Sequence, residues 1–251
     1  MKILVIGDYC SDQYTYCDIS RLCPEAPVPV LQFKHSISTP GMAGNVSRNL
    51  ECLNASVELK CNKERITKTR YVDDYSGQMI MRLDENDTCA QIHQPWIKYF
   101  IEHHQWEKYD AIIISDYNKG FLLTEDIKLL CDHIVDVPIF LDTKKILGSW
   151  ANNVTFIKIN HSEYKNNSHV FYKNDKLKAK TIITKGPHGC EYQGKIYPTK
   201  QVPVKDVSGA GDTFLAGLVI EYIKTKNIKK AINFAQECTT IVVQKPGVST
   251  I

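Results

Sequence analysis

No apolar run in this 251-residue chain approaches the roughly 18 residues of a membrane span. Met1-Lys2 leads straight into a strand-like segment, where a signal peptide would carry its apolar region. No membrane role is expected, and a cytoplasmic location is. The nine cysteines (Cys10, Cys17, Cys23, Cys52, Cys61, Cys89, Cys131, Cys190 and Cys238) are odd in number and contain no C-x-x-C pair, so reduced thiols are expected rather than a zinc or redox site. A formal charge of +3 is too small to imply nucleic acid binding. The cations Lys224, Lys226, Lys229 and Lys230 are mixed with apolar residues and read as a solvated helix end. The eight histidines show no ligand spacing, and the adjacent His103 and His104 would diverge on a helix, so no metal is assigned to histidine. Internal repeats and low-complexity tracts are absent. So are G-x-G-x-x-G and the P-loop with its Lys-Ser/Thr, which removes support for nicotinamide binding and for P-loop hydrolysis.

The length suits one sizeable α/β domain, alone or with a small appendage, and 43% hydrophobic content supplies a core. Five short Val/Ile-rich runs recur between helix-like segments: Ile3 to Ile6, Ala111 to Ile114, Ile139 to Leu141, Val154 to Ile159 and Thr181 to Ile183. Apolar strands alternating with helices predict a mostly parallel sheet with helices on both faces. Each run is followed by polar residues: Asp8, Ser115-Asp116, Asp142, Asn160 and Thr184. Open α/β sheets bind ligands at those carboxyl ends. Segments 13–38 and 66–85 have a different texture, with the turn signal Asp73 to Gly77, and predict a small β lid on a single domain, 1–251. Between them, Pro40 to Leu53 reads as a glycine-containing loop followed by a helix, ended by Asn54. Ile92, Trp96, Phe100 and Trp106 read as cover for the sheet.

The strongest local signal is Asp206-Val207-Ser208-Gly209-Ala210-Gly211-Asp212-Thr213-Phe214 at the start of an apolar helix. Its glycines permit close backbone approach, and unpaired amides at a helix start favour a phosphoryl oxygen. A carboxylate beside those amides can take the proton of an attacking hydroxyl while they stabilise charge on the transferring phosphate. An acid that merely complements the helix dipole would look the same in isolation.

Asp206 to Asp212 has the form D-x-x-G-A-G-D and resembles the C-terminal signature of the ribokinase-like (PfkB) carbohydrate kinases. Gly41-Met42-Ala43-Gly44-Asn45-Val46 loosely matches that family's N-terminal glycine motif, and Asn160-His161-Ser162-Glu163 its N-x-x-E motif. Ser20 to Val30, Ser115 to Gly120 and Lys245 to Thr250 resemble the family's heptose 7-phosphate kinase subgroup. The resemblance implies a ribokinase-like α/β fold and transfer of the γ-phosphate of ATP to a sugar hydroxyl, with Asp212 as base and Gly209, Ala210 and Gly211 beside it. It also implies sugar contacts from Asp12, Gly41 and Asn45. Asp116 and Lys119, with Arg82 and Lys144 behind them, become candidates for substrate and its existing phosphate.

For the nucleotide the resemblance implies Asn160, Ser162, Glu163, Thr184, Gly186 and Gly189. Mg2+ would be reached from Glu163 through water, and Asp206, Ser208 and the 245–249 loop would form a monovalent-cation region suited to K+. Each of these residues also has an ordinary structural use: Asn45 as a helix cap, Asp12 as a turn acid, Arg82 as an exposed cation, Thr184 to Gly189 as a plain turn. Against the subgroup the chain is short between Val57 and Thr67 and stops soon after Thr250. A missing sheet edge, a missing terminal helix and a homodimer through the β lid are therefore expected. Another sugar, sugar phosphate or nucleoside as acceptor, or a weakly catalytic binding protein, stays open.

Overall fold

The structure, a computed structural model, describes residues 1–251. The chain runs β1 (Lys2–Gly7), β2 (Tyr9–Asp18), β3 (Gln32–Met42), α1 (Ala43–Cys52), β4 (Ser56–Cys61), β5 (Ile66–Asp73) and β6 (Met79–Glu85). It continues through α2 (Gln94–Glu102), β7 (Ala111–Asp116), α3 (Thr124–His133), β8 (Ile139–Thr143) and β9 (Phe156–Asn160). Three one-and-a-half-turn helices follow, α4 (His161–Asn166), α5 (Ser168–Lys173) and α6 (Asp175–Lys180). The chain closes with β10 (Thr181–Thr184), β11 (Cys190–Tyr192), β12 (Lys195–Tyr197), α7 (Ala210–Thr225) and α8 (Ile228–Val242).

All five apolar runs are strands of one eight-stranded sheet, ordered β12-β11-β10-β9-β8-β7-β1-β4. β1, β4 and β7 to β10 pair in parallel, and β11 and β12 continue antiparallel. Branched side chains suit the pleat, and alternation sends successive residues to opposite faces. Leu4, Ile6, Ile112, Ile114, Leu141 and Ile157 join Ile97, Phe100, Ile127 and Leu130 of α2 and α3 in one core. Ile3, Val5, Ile113 and Phe140 join residues of α1, α7 and α8 in the other. Ile92, Phe100 and Trp106 are buried in the first core with Trp96 against it, as sheet cover. All nine cysteines are free.

The lid is a second sheet, ordered β3-β2-β5-β6. It is larger than the predicted 13–38 and 66–85: β2 starts at Tyr9, and β3 runs on to Met42. Pro40 to Met42, expected as loop, thus end a lid strand, because they pair across to Tyr9, Cys10 and Ser11. Asn62 fastens the point where main sheet becomes lid: its Oδ1 accepts from the Tyr9 amide at 2.6 Å and its Nδ2 donates to the Tyr9 carbonyl at 3.1 Å. The short segment near Val57 to Thr67 folds as β4, the outer strand beside β1, and passes directly into β5.

β1 and β7 approach so closely that a Cβ on Gly7 would lie 1.9 Å from the Ser115 carbonyl oxygen. Backbone on both sides leaves no flexible atom to yield. Gly7→Ala is expected to lower unfolding stability by about 1–3 kcal/mol, read from urea denaturation; an unchanged midpoint would contradict this packing.

Candidate active site

The carboxyl ends of β1 and β7 to β10 converge on the start of α7. Gly209, with φ of 77°, turns the chain into that helix, and a Cβ there would lie 2.5 Å from Asn45 Nδ2. Gly211 and Asp212 follow in its first turn, where amides have no acceptor within the helix. Asp212 is 4% exposed. Asn45 Nδ2 donates to its Oδ2 at 2.9 Å and the Tyr117 hydroxyl to its Oδ1 at 2.7 Å. Burial pushes the Asp212 carboxyl up to about 6, against the hydrogen bonds from Asn45 and Tyr117 and the charge of Lys158, which favour ionisation. The group is ionised at neutral pH and retains the basicity to take a hydroxyl proton.

Asn45 is held by its own helix. Set in the first turn of α1, it gives its carbonyl and Oδ1 to Asn49 Nδ2 at 2.9 and 3.2 Å. It does not cap α1, whose cap position is Met42; its amide faces Asp212 and, at 3.4 Å, the Gly209 carbonyl. Tyr117 belongs to a loop organised by Asp8, whose carboxylate accepts from the amides of Tyr117, Lys119 and Phe121 at 2.7, 3.3 and 3.3 Å. Burial raises Asp8, as does the nearby Asp116 charge.

Asp12 lies within β2, 6% exposed, its Oδ1 accepting from Arg70 Nη1 at 2.5 Å. Its Oδ2 stands 2.1 Å from where a Cβ on Gly41 would be, so the glycine admits this carboxylate to the cleft. Asp116 is not free for substrate: Lys145 Nζ, the Thr143 hydroxyl and the Asn118 amide all donate to it, at 2.6, 2.5 and 3.1 Å. It therefore orders the loop that carries Tyr117. Lys119 pairs with Asp87 at 2.5 Å, and Arg82 is bidentate to Asp84 at 2.6 Å twice.

Asn160 and Glu163 form a capping box on α4: Glu163 N donates to Asn160 Oδ1 at 2.9 Å, and Asn160 N to Glu163 Oε2 at 2.7 Å. Lys144 donates to Glu163 Oε1 and lies 5.1 Å from the Tyr117 ring centre. Ser162 is exposed and makes no hydrogen bond here. Thr184, Gly186 and Gly189 line a cavity of about 390 Å3 with Val202, Phe214 and Val243, and it opens onto Ala210 and Gly211. The cavity is thus an apolar cleft beside free helix-start amides, groups that favour an anion. Asp206 gathers the remaining motif: its Oδ1 accepts from Ser208 N at 2.8 Å, and its Oδ2 from Gly247 N at 3.1 Å and the Tyr14 hydroxyl at 3.4 Å.

Two site residues escape a reading of the sequence alone. Tyr117 sits inside the quoted Ser115 to Gly120 segment, but nothing in its type marks it as a partner of Asp212. Lys158 interrupts the apolar strand Phe156-Ile157-Lys158-Ile159-Asn160, which was its one available signal. Only 4% exposed, it donates to Asp142 Oδ2 at 2.7 Å, and its Nζ lies 2.8 Å from where a Cβ on Gly211 would stand. It adds a fixed positive charge to the start of α7.

The fold is that of ribokinase and its structural neighbours. Thermotoga maritima ribokinase superposes with a TM-score of 0.71 at 15% identity, over 98% of this chain and 94% of that one. Escherichia coli phosphofructokinase-2 in complex with potassium gives 0.73 at 14%, over 99% and 94%. Residues 63–251 match the pfkB family carbohydrate kinase pattern. Among curated proteins, the bifunctional protein HldE of Helicobacter acinonychis is 31% identical over 298 positions, covering 98% of this chain and 63% of that protein. HldE of Campylobacter jejuni is 30% identical, covering 98% and 62%. The 298 aligned positions exceed the 251 residues of this chain, so the relative carries residues that this chain lacks. The chain also spans less than two thirds of those relatives' length. It belongs to the pfkB family of carbohydrate kinases, phosphotransferases with an alcohol group as acceptor.

Removing the Tyr117 hydroxyl withdraws a donor that favours ionised Asp212. Wild-type kcat/KM is expected to rise with pH through an acidic limb near 6. In Tyr117→Phe that limb should move to higher pH, and a limb that stays in place would contradict Tyr117 as a partner of Asp212.

Proposed function

We propose that the chain transfers the γ-phosphate of ATP to a sugar phosphate, D-glycero-D-manno-heptose 7-phosphate at O1. The observation that carries the chemistry is the buried Asp212 carboxylate, held by Asn45 and Tyr117 at the amide-lined start of α7. The acceptor hydroxyl lies against Asp212, which takes its proton as the hydroxyl oxygen forms a bond to the γ-phosphorus and the bond to the ADP oxygen breaks. The Gly211 and Asp212 amides and the Lys158 ammonium face the charge on the moving phosphoryl group, a fixed electrostatic frame that needs no reorganisation. Asp12 accepts a second sugar hydroxyl while Arg70 holds its other oxygen. The heptose assignment draws on the Ser20 to Val30, Ser115 to Gly120 and Lys245 to Thr250 segments and on the HldE relatives.

No three acidic, histidine or cysteine side chains form a metal cage. Glu163 and the unpartnered, buried Oδ1 of Asp142 nevertheless suit Mg2+ that arrives on nucleotide phosphates, since that ion needs only one or two protein carboxylates. When bound, Mg2+ neutralises charge on the β- and γ-phosphates. Asp206, Ser208 and the 245–249 loop would hold K+, in line with their junction at Gly247 N. The lid's outer strands β3 and β6 leave Phe33, Met79, Met81 and Leu83 exposed. A homodimer through the lid would cover those open edges. Sedimentation should then show a dimer that charged substitutions at Phe33 and Met81 dissociate; a monomer at every concentration would refute it.

A panel of sugars, sugar phosphates and nucleosides with ATP should single out the heptose phosphate. Preferred turnover of a nucleoside or an unphosphorylated sugar would contradict the acceptor. Asp212→Asn is expected to abolish transfer while ATP affinity changes by a few-fold at most, because the amides remain. A carboxyl raised from 3.8 to about 6 weakens the fold once pH exceeds the unfolded value. The full penalty, about 3 kcal/mol, is reached above 6. Asp212→Asn should therefore raise stability at pH 7 by up to that amount, with the gain fading below pH 4; turnover by the variant would sink the assignment of the base.

A further inference from the structure

We infer that Lys68 and Arg70, neighbouring inward-facing residues of lid strand β5, form the site that reads the acceptor's existing phosphate. This rests on the sugar-phosphate reading above and assigns the phosphate to residues other than Lys119 and Lys144. The two side chains are 12% and 13% exposed, a low value for long cations on a small lid sheet. Both have donors to spare. Lys68 makes no hydrogen bond, its closest carboxylate oxygens, on Asp84 and Asp87, lying 3.9 and 4.0 Å away. Arg70 donates only through Nη1, to Asp12, and its other guanidinium donors have no partner in the protein.

The sheet register also places like charges together. Arg70 stands directly across from Arg82, each paired with a single carboxylate, Asp12 and Asp84. Like charges in direct cross-strand opposition are destabilising. Bridging by an anion would relieve the repulsion those carboxylates leave, and planar guanidinium donors match phosphate oxygens.

These cations share the cleft with the base. The Cys10 thiol, which burial pushes up to about 12, feels the charges of Asp12, Lys68, Asp212 and Arg70 together. Asp12 links the two functions: one carboxylate oxygen is held by Arg70, and the other, above Gly41, meets only the weak Cys10 thiol donor at 3.9 Å and can accept from a hydroxyl. The acceptor hydroxyl at Asp212 and the cations beyond Asp12 thus receive opposite ends of one substrate. The ligand class is a phosphate monoester borne on a carbon remote from the reacting hydroxyl. Lys119 is committed to Asp87 and Lys144 to Glu163, whereas Lys68 and Arg70 on β5 keep unused donors.

Steady-state kinetics with heptose 7-phosphate and unphosphorylated heptose, plus inorganic phosphate as a competing ligand, test the assignment in wild type, Lys68→Met, Arg70→Gln and Arg70→Lys. Lys68→Met keeps the aliphatic stem and breaks no hydrogen bond, so it reports on the site even where loss of the Arg70 ion pair disturbs folding. The expected result is a wild-type preference for the phosphorylated sugar that Lys68→Met and Arg70→Gln each reduce by about 10- to 100-fold. Inhibition by inorganic phosphate should weaken in parallel, and Arg70→Lys should recover part of the preference. A wild type that prefers the phosphorylated sugar, with Lys68→Met and Arg70→Gln that keep both the preference and the inhibition, overturns this inference and leaves the proposed function standing. A wild type that prefers the unphosphorylated sugar overturns both.

Discussion

A carboxylate held ionised inside the protein is the constraint on which the rest of this molecule depends. Burial alone would neutralise Asp212. Two donors from different parts of the chain, Asn45 on α1 and Tyr117 after β7, keep it charged at neutral pH while leaving it more basic than a surface aspartate. Each donor needs its own support. Asn49 fixes the Asn45 amide, and Asp8 gathers the amides of the Tyr117 loop. The sheet brings these supports together by ending β1, β7 and β8 at the same edge.

The two halves of the cleft use different physics. On one side, glycine-bearing turns and apolar residues line a cavity that leads to free helix-start amides, a surface defined by shape and backbone dipoles. On the lid side a polar sheet carries paired charges, with Asp12 and Arg70 at its centre. Asn62 ties the two at Tyr9, where the main sheet passes into the lid. The position of a lid built on β2, β3, β5 and β6 is thus set from the main sheet.

Much of this was legible in the residues. The five Val/Ile runs became strands because their apolar, branched side chains suit a sheet covered on both faces, and a polar residue follows each at the carboxyl edge. Asp212 and Asn45 were reached through the family resemblance of their segments rather than through local signal alone, and the fold brings them within 2.9 Å of each other. The lid boundaries were less legible: β2 and β3 are half-polar strands whose register is set by pairing with each other, so their ends at Tyr9 and Met42 have no local mark. β4, at the sheet edge, mixes Glu58 and Lys60 with Val57 and Leu59 and lacks a continuous apolar run. Tyr117 and Lys158 owe their roles to contacts across long sequence separations. Asp116 shows the converse, a motif acid whose geometry commits it to Lys145 and Thr143.

Phosphorus-31 NMR of the protein with ATP, Mg2+ and D-glycero-D-manno-heptose 7-phosphate tests the central claim most directly. If Asp212 activates a sugar hydroxyl for attack on the γ-phosphate, a second phosphomonoester resonance coupled to the anomeric proton should appear as ATP is converted to ADP. Conversion of ATP to ADP and inorganic phosphate alone, with the sugar resonance unchanged, would contradict it.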